Sequence, residues 1–378
     1  MKKFYYIHES CYNANGELVF FGVQNKIDMM IRELSQYFEV KEIVVDRKVD
    51  AVHKLIARLP FASNGYDYET ALEKIKMPDC VYIRKPIIDG QFVEFVKKIK
   101  CINPQCKIML EVFTYPYDHE YRLKRTYPLL LKERKNREKL FPYIDKVLTF
   151  GNYDEIFHMQ TIKTCNGIDF ESIPLPEYNH EFNPSGFTII SVATMQPVHG
   201  YERVIQGIHD YYSSEGEARI TYKVVGNGSE VEHYKALVDK YALNDKVIFV
   251  GAKKGDELTK EFIDADIAVE VLGGYKDKEK RHGNLHSSSL KSREYFARGI
   301  PFITASDMDL DEMTELSGYY FHVEEESDSV NIRAIIDFLN RTYGRTSRMK
   351  FANDMRKAGQ KYLDYSITCL PIVEYFNQ

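Results

Sequence analysis

Short apolar runs alternate with longer amphipathic stretches along almost the whole chain. In the first half, five runs rich in β-branched and aromatic residues are bounded by polar ones: 4–8, 41–46, 80–84, 107–112 and 146–150. Runs of this kind are typical of parallel strands that are buried on both faces. Between them, stretches such as 26–38 and 92–100 repeat their apolar residues at helical spacing. The pattern predicts a doubly wound α/β sheet.

The same alternation of strand and helix patterns begins again in the second half of the chain. The second strand series is predicted at 187–193, 219–226, 246–251, 266–272 and 301–306, with helices at about 201–214, 229–241, 256–264 and 288–298. The proline-bearing stretch 173–186 lies between the two series and is predicted to be a linker. We therefore predict two Rossmann-like domains, 1–180 and 181–362, that face a central cleft. The helical tail has a predicted break near Pro371, and the pattern alone leaves open which domain it packs on.

Composition narrows the class of protein without identifying it. The chain has 378 residues, a net charge of −5, 44% hydrophobic and 28% charged residues, as expected for a globular protein of two domains. A mildly acidic protein gives no global sign of nucleic-acid binding. The six cysteines are scattered without metal-ligand spacing, and the N-terminus has no apolar signal segment. We expect a cytoplasmic protein, or one held peripherally at the inner membrane face.

Two motifs follow strands of the second series. In VVGNGSE (224–230), Gly226 and Gly228 end a strand at the entry to a helix. Such glycines let a backbone approach a ligand, but a tight turn needs the same residues, and both interpretations stay open. In SVATMQPVHGYERVI (191–205), His199 and Gly200 lie between a strand and a helix, where they can face the cleft.

The segment HGNLHSSSLKSREYFARGIPF (282–302) carries the strongest chemical signal. Serines 287–289 can cap the helix that follows, and Ser289, Leu290 and Lys291 then lie at its start. A cation there opposes the helix dipole unless an anion such as a diphosphate binds at the N-terminus. Lys291 and Glu294 are three residues apart and share a helix face, so the carboxylate is placed to bind ribose hydroxyls. A surface salt bridge between the two is the alternative.

The first half offers weaker candidates for a binding site. Gly22, in GELVFFGVQNKID (16–28), can let a loop approach a phosphate, or it can be an ordinary capping glycine. The loop after the fourth strand, in LEVFTYPYDHE (110–120), combines carboxylates with aromatic rings, a combination that suits sugar hydroxyls. Its candidate acceptor-binding residues are Glu111, Tyr115, Tyr117 and Asp118.

The stretch 122–139 has eight basic and two acidic residues, a local excess of +6, with leucines interleaved. This pattern is typical either of a solvated helix or of a helix at an anionic membrane surface, which would suit a lipid-linked acceptor.

Five strings of the second half occur in an order that resembles one known family. They are SVATMQPVHGYERVIQGI, YKVVGNGSE, VIFVGAKKGDEL, DADIAVEVL and SLKSREYFARGIPF, within Phe187–Ser306. In this order they resemble the donor domain of family-4 (group 1) retaining glycosyltransferases of the GT-B fold, of the bacterial polysaccharide-assembly type. FFGVQNKI and LEVFTYPYD resemble the acceptor domain more loosely. The resemblance implies that 363–378 cross back to the first domain.

The resemblance also implies roles for individual residues. Lys291 matches a diphosphate contact, and Glu294 matches the second glutamate of the E-x7-E motif, which holds the donor ribose. Gly226, Gly228 and Gly22 match glycine turns near the nucleotide and its phosphates.

Three positions depart from the family pattern. His286 stands at the first glutamate of E-x7-E and leaves the contact with the donor hexose open. Thr194 and His199 replace the usual arginine and lysine. Lys291, with His199 or Arg293, would then carry more of the leaving-group charge.

The activity implied is transfer of a hexose, with retention, from a nucleotide-diphosphate sugar to a saccharide or lipid-linked acceptor in cell-surface polysaccharide synthesis. No metal is expected, because Asp264-Ala265-Asp266 lies at a strand boundary and is better explained as structural. Two alternatives stay open: a nucleotide-sugar 2-epimerase, and a non-catalytic subunit that binds nucleotide sugar for a partner transferase.

Overall fold

The computed structural model describes residues 1–11, 21–47, 51–118, 126–273, 288–324 and 327–378. The chain divides into two compact units. Met1–Gly167 and Tyr365–Gln378 form unit 1, and the described residues between Ile168 and Asp364 form unit 2. The chain changes unit after Gly167 and again after Asp364, whereas the sequence analysis sets its boundaries after 180 and 362.

Unit 1 is built on a sheet with helices on its faces. Its strands are β1 Lys3–Glu9, β2 Glu39–Val45, β3 Cys80–Arg84, β4 Lys107–Val112, β5 Lys146–Thr149, β6 Glu155–Ile156 and β7 Met159–Lys163. Its first five helices are α1 Phe21–Leu34, α2 Ala51–Ile56, α3 Tyr68–Glu73, α4 Gly90–Ile102 and α5 Tyr127–Arg137. The strand order is β2-β1-β3-β4-β5-β7-β6, and the pairs are parallel except β6 with β7.

Unit 2 repeats the plan with a wholly parallel sheet. Its strands are β8 Gly186–Val192, β9 Arg219–Val225, β10 Val247–Gly251, β11 Ile267–Val269, β12 Phe302–Thr304 and β13 Tyr320–His322, in the order β10-β9-β8-β11-β12-β13. Its helices are α6 Glu202–Ser213, α7 Val231–Lys240, α8 Gly255–Phe262, α9 Leu290–Arg298, α10 Ile332–Tyr343 and α11 Arg348–Leu363. The predicted α/β class is confirmed in both units.

The last helices, α12 Tyr365–Thr368 and α13 Leu370–Asn377, pack in unit 1. The ring of Phe376 lies 5.0 Å from that of Phe4, and its carbonyl accepts a hydrogen bond of 2.6 Å from Nζ of Lys2. The predicted return of the C-terminal segment to the first domain is confirmed. The break occurs where the backbone becomes extended at Asp364, and Pro371 lies in the first turn of α13, where a missing N–H costs nothing.

Parts of two stretches, 173–186 and 122–139, are more closely packed into their units than the sequence predicted. Much of the expected linker is held by unit 2: Tyr178 is 6% exposed and donates to the carbonyl of Arg298 (2.8 Å). Within 122–139, helix α5 buries Lys132 and Glu133, which bind partners of their own unit. No helix within the described ranges is long and apolar enough to cross a bilayer.

Candidate functional site

The strand order of unit 2 reverses between β8 and β11. Chain connections run outward in opposite directions from these two strands, so a crevice opens beyond their carboxyl ends. Ligands of open α/β sheets bind at such points. The loop after β8, the turn after β9, the end of β11 and the start of α9 all meet there.

Close backbone contacts fix the loop after β8 against the turn after β9. The amide of Met195 donates to the carbonyl of Asn227 at 2.7 Å. Gly226 and Gly228 have φ of 128° and 150°, and a Cβ on either would lie 1.9 or 2.2 Å from the carbonyl oxygen of Ala193 or Met195. Only glycine fits these positions. Packing alone accounts for both glycines, so their predicted contact with a nucleotide stays a prediction.

The other end of the same loop is bonded to the end of β11. The amide of Leu272 donates to the carbonyl of His199 at 2.9 Å. Gly200 has φ of 62°, and a Cβ there would lie 2.4 Å from the amide nitrogen of Gly273. The backbone around His199 is therefore held at the switch point.

Helix α9 presents one narrow face at this edge of the sheet. Ser289 is its N-cap and accepts from the amide of Lys291 at 3.1 Å, as predicted for a capping serine. Six of the nine helix residues are buried, and the half-exposed ones are Leu290, Lys291 and Glu294. The stripe that links Lys291 to Glu294 is thus the face that unit 2 leaves uncovered.

Lys291 reaches from the first turn of α9 to the end of β11. Its Nζ donates to the carbonyl of Glu270 at 3.2 Å and lies 3.5 Å from the hydroxyl of Tyr201. The first turn of α9 contains no acidic residue. Burial lowers the pKa of Lys291 to about 8, while the charge of Glu270 acts in the opposite direction. A bound anion would stabilise this ammonium and would satisfy the helix dipole.

His199 lies next to Lys291 in a neutral form. Burial, followed by the positive charge of Lys291, lowers its pKa to about 3. Its Nδ1 accepts from the amide of Gln196 at 3.0 Å, which leaves the proton on Nε2. A neutral imidazole can stabilise a leaving group through a hydrogen bond from Nε2–H, and the predicted role of His199 stays a prediction.

The sequence analysis left a surface salt bridge between Lys291 and Glu294 as the alternative, and this salt bridge is not formed. Glu294 is paired instead with Arg298, one turn along α9, at 2.9 Å from Oε1. Arg298 is 4% exposed and lies over the ring of Phe262. The arginine therefore fixes the orientation of the carboxylate on the uncovered face of α9.

Arg293 points the other way from Lys291. It is fully buried, and its guanidinium bonds to Asp309, Ser288 and the hydroxyl of Ser292. It ties the start of α9 to a neighbouring turn, which corrects its predicted position at the donor phosphates. His286 lies outside the described residues.

Three residues of this site were missed by sequence reasoning. Tyr201 and Glu270 contact Lys291, and Thr304 donates to Oε2 of Glu270 at 3.0 Å. The signal available was the glutamate inside the apolar run DIAVEVL, since a charge in a buried strand needs a partner.

In unit 1, Gly22 lies in the first turn of α1 and not in the loop before it, because the helix begins at Phe21. A Cβ on Gly22 would meet nothing within 4 Å. Glu111, at the end of β4, is fully buried. It bonds to Nζ of Lys26 (2.7 Å) and lies 3.4 Å from Nε of Arg84. Burial opposes ionisation, but these two cations outweigh it and lower the pKa of Glu111.

The two candidate tyrosines of the loop after β4 pack against other side chains of unit 1. Tyr117 is 3% exposed and belongs to the core, and Tyr115 packs edge-on against Tyr153. Asp118 bonds to Arg134 and Arg137 of α5 at 2.8 and 2.6 Å. Their roles in acceptor binding stay predictions.

Two further expectations concern metals. Within the described ranges, no three histidine, cysteine, aspartate or glutamate side chains come together as metal ligands. Asp264 pairs with Lys223, and Asp266 accepts from the amide of Thr188, so both carboxylates have structural roles. The prediction that no metal is used stays untested.

Comparison with known proteins agrees with this architecture. Residues 178–362 match the sequence profile of glycosyl transferases, group 1. The fold is similar to that of HepE of Anabaena, solved with UDP and glucose (TM-score 0.63, 12% identity, 100% of both chains). It is also similar to a glycosyltransferase from Rickettsia africae (0.62, 12%, 100% of this chain and 98% of that one). Sucrose-phosphate synthase from Thermosynechococcus elongatus is a third similar structure (0.63, 12%, 100% and 99%).

No curated protein matches the chain by sequence. Both units have the Rossmann-like construction of GT-B enzymes, and the profile covers the unit that holds Lys291 and Glu294. The chain has the GT-B fold, and its residues 178–362 match the group 1 glycosyl transferases.

Proposed function

We propose that the protein transfers a hexose from a nucleotide-diphosphate sugar, with retention, to a saccharide or lipid-linked acceptor in cell-surface polysaccharide synthesis. The observation that carries this proposal is Lys291, a partly covered lysine in the first turn of α9 whose ammonium lies at the switch point of unit 2. The helix N-terminus and this ammonium together form a site for a diphosphate.

The leaving diphosphate develops negative charge as the glycosidic bond breaks. In this proposal Lys291, the amides at the start of α9 and Nε2–H of His199 stabilise that charge, and no metal is expected to take part. Glu294, held by Arg298 one turn further on, is placed to accept hydrogen bonds from the ribose. We infer no covalent nucleophile.

UDP-glucose is the donor to test first, because HepE was solved with UDP and with UDP-glucose. A thermal-shift series across UDP-, GDP-, ADP- and dTDP-sugars identifies the nucleotide, since a ligand raises stability in proportion to ln(1 + [L]/Kd). Product analysis with donor alone and with an acceptor panel separates transfer from epimerisation and from binding without turnover.

Substitution of Lys291 or Glu294 by alanine tests the site itself. Both variants should lose transfer by at least about a hundredfold while their circular dichroism spectra show that they remain folded. The matched control is Lys235→Ala on α7, which removes an exposed lysine paired with Glu232. Full activity in Lys291→Ala and Glu294→Ala would refute the assignment.

We further propose that the acceptor is reached at a membrane surface through the stretch 122–139. On α5, Tyr127 is 47% and Leu131 42% exposed. Lys132 of α5 bonds to the carbonyl of Ala57, so the chain after α2 lies beside α5, and Phe61 there is 79% exposed. Exposed apolar side chains beside arginines and lysines suit an anionic leaflet.

A further inference from the structure

A buried carboxylate stands at the carboxyl end of β11, at the switch point of unit 2. Glu270 is 0% exposed and follows the apolar strand Ile267–Val269. Its Oε2 accepts a hydrogen bond of 3.0 Å from the hydroxyl of Thr304. Its Oε1 is buried and has no hydrogen-bond partner within the part of the chain that the structure describes. A buried carboxylate in this state requires a nearby positive charge.

Among the described residues, the ammonium of Lys291 is a positive charge on which the carboxylate of Glu270 acts. Nζ of Lys291 bonds to the main-chain carbonyl of Glu270 itself, at 3.2 Å. The hydroxyl of Tyr201 donates to the same carbonyl at 3.3 Å and lies 3.5 Å from Nζ, which restricts the lysine to one direction. The main chain and the side chain of one residue thus act on the same ammonium.

The other charged or titratable groups around this pair, in the described chain, have partners of their own. The buried guanidinium of Arg203, on α6, donates to the carbonyls of Leu272 and Glu324. His199, on the loop after β8, is neutral near pH 7 for the reasons given above. Tyr295, on α9, donates its hydroxyl to the carbonyl of Val269. His322, on β13, is hydrogen-bonded to Asp311 at 2.8 Å. Arg293 is paired with Asp309.

We propose that Glu270 is a positioning residue, which holds the ammonium of Lys291 charged and in place at the diphosphate site. Thr304 orients the carboxylate from the neighbouring strand. This role rests on the proposed function of Lys291, since Glu270 acts through the lysine and not on the ligand. The buried negative charge also repels a diphosphate, so Glu270 keeps the cation available at the cost of some affinity.

These two opposing effects predict that Glu270→Gln changes UDP affinity in opposite directions at low and high pH. A purely structural residue would not produce this reversal. In Glu270→Gln, Lys291 is charged at pH 6 with or without the carboxylate, and UDP should bind at least as tightly as to the wild type. At pH 8.5 a smaller fraction of Lys291 should be charged in the variant than in the wild type. UDP should therefore bind the variant several-fold more weakly. Equal weakening at both pH values would overturn the positioning role.

The coupling of the two residues is measured without any ligand or turnover. Trace acetic anhydride acylates only the unprotonated amine, so the labelling of Lys291 against pH, followed by mass spectrometry, gives its titration midpoint. In Glu270→Gln the midpoint should fall by about one pH unit or more, because the negative charge that raises the pKa of Lys291 is removed. Glu270→Asp should restore part of the difference.

Asp266→Asn is the matched control, because Asp266 is also buried and flanks the opposite end of the same strand. It should leave the midpoint of Lys291 unchanged. Glu270→Leu carries the same test if the glutamine variant does not fold, since leucine suits a buried strand end. An unchanged midpoint in a folded Glu270 variant would refute the proposal.

The two assays also separate this proposal from the proposed function. If the wild type binds no nucleotide sugar, the proposed function fails, and the labelling midpoints still decide whether Glu270 controls Lys291. If the wild type binds UDP but the midpoints of wild type and Glu270→Gln coincide, the positioning role fails and the proposed function stands.

Discussion

The lowered pKa of Lys291 predicts that donor binding depends on pH near neutrality. With a pKa of about 8, about nine-tenths of the lysine is charged at pH 7 and about one-tenth at pH 9. If only the ammonium binds the diphosphate, the affinity for UDP-glucose falls about tenfold across this range, or about 1.4 kcal/mol. The sign follows because the bound anion raises the pKa of Lys291, and the gain is lost as pH rises through the pKa of the free protein.

Isothermal titration of UDP-glucose from pH 6.5 to 9.5 measures this dependence directly. At pH 8.5, binding should take up about 0.75 proton, which is read from titrations in buffers with different ionisation enthalpies. Lys291→Arg should bind with little pH dependence, because a guanidinium stays charged, and it also controls for ionisation of the ligand. Lys291→Met should bind weakly throughout. A flat wild-type profile, or an equal fall in Lys291→Arg, would refute the reasoning.

Two further predictions concern unit 1. Lys26→Met should destabilise the protein towards urea by about 3 kcal/mol, because it removes one of the two cations that face the buried Glu111, and adding Glu111→Gln should recover only part of that loss, since Arg84 then lacks its carboxylate; equal losses in the single and double variants would contradict this. The protein should bind vesicles containing phosphatidylglycerol but not pure phosphatidylcholine vesicles, and Leu131→Ser should weaken binding at least about threefold while Leu370→Ser, also an exposed leucine, should not. Equal binding to both vesicles would rule out the membrane contact.

The sequence predicted the sheets well where burial on both faces leaves continuous apolar runs. Phe4–Ile7 in β1 and Cys80–Ile83 in β3 are buried throughout, and both strands were found with bounds within one residue. Strands β6 and β7 were missed, because an antiparallel hairpin at the sheet edge is short and half-exposed. The three residues of β13 give too little pattern to separate them from a loop.

The sequence predicted those features of the candidate site that follow from helix periodicity. It did not predict which neighbouring element a side chain packs against. Spacing alone placed Lys291 and Glu294 on one face of α9, and that face is the one left uncovered. The same spacing says nothing of which way Arg293 turns, and it is buried against Asp309. Likewise, the loop after β4 has the composition of a sugar site, but Tyr117 lies in the core, where Arg137 of α5 and Phe157 pack on its ring.

These contacts show how the departures from the family pattern affect the positive charge of the diphosphate site. An arginine at 194 and a lysine at 199 would spread the positive charge of the diphosphate site over several groups. In this chain Thr194 is uncharged and His199 is neutral, so among the described residues of the site the positive charge rests mainly on Lys291, whose pKa lies near the working range. Such a cation contributes only if it is held in its charged form. Glu270, a glutamate in an otherwise apolar strand, supplies the opposing charge at the end of β11, where Lys291 needs it.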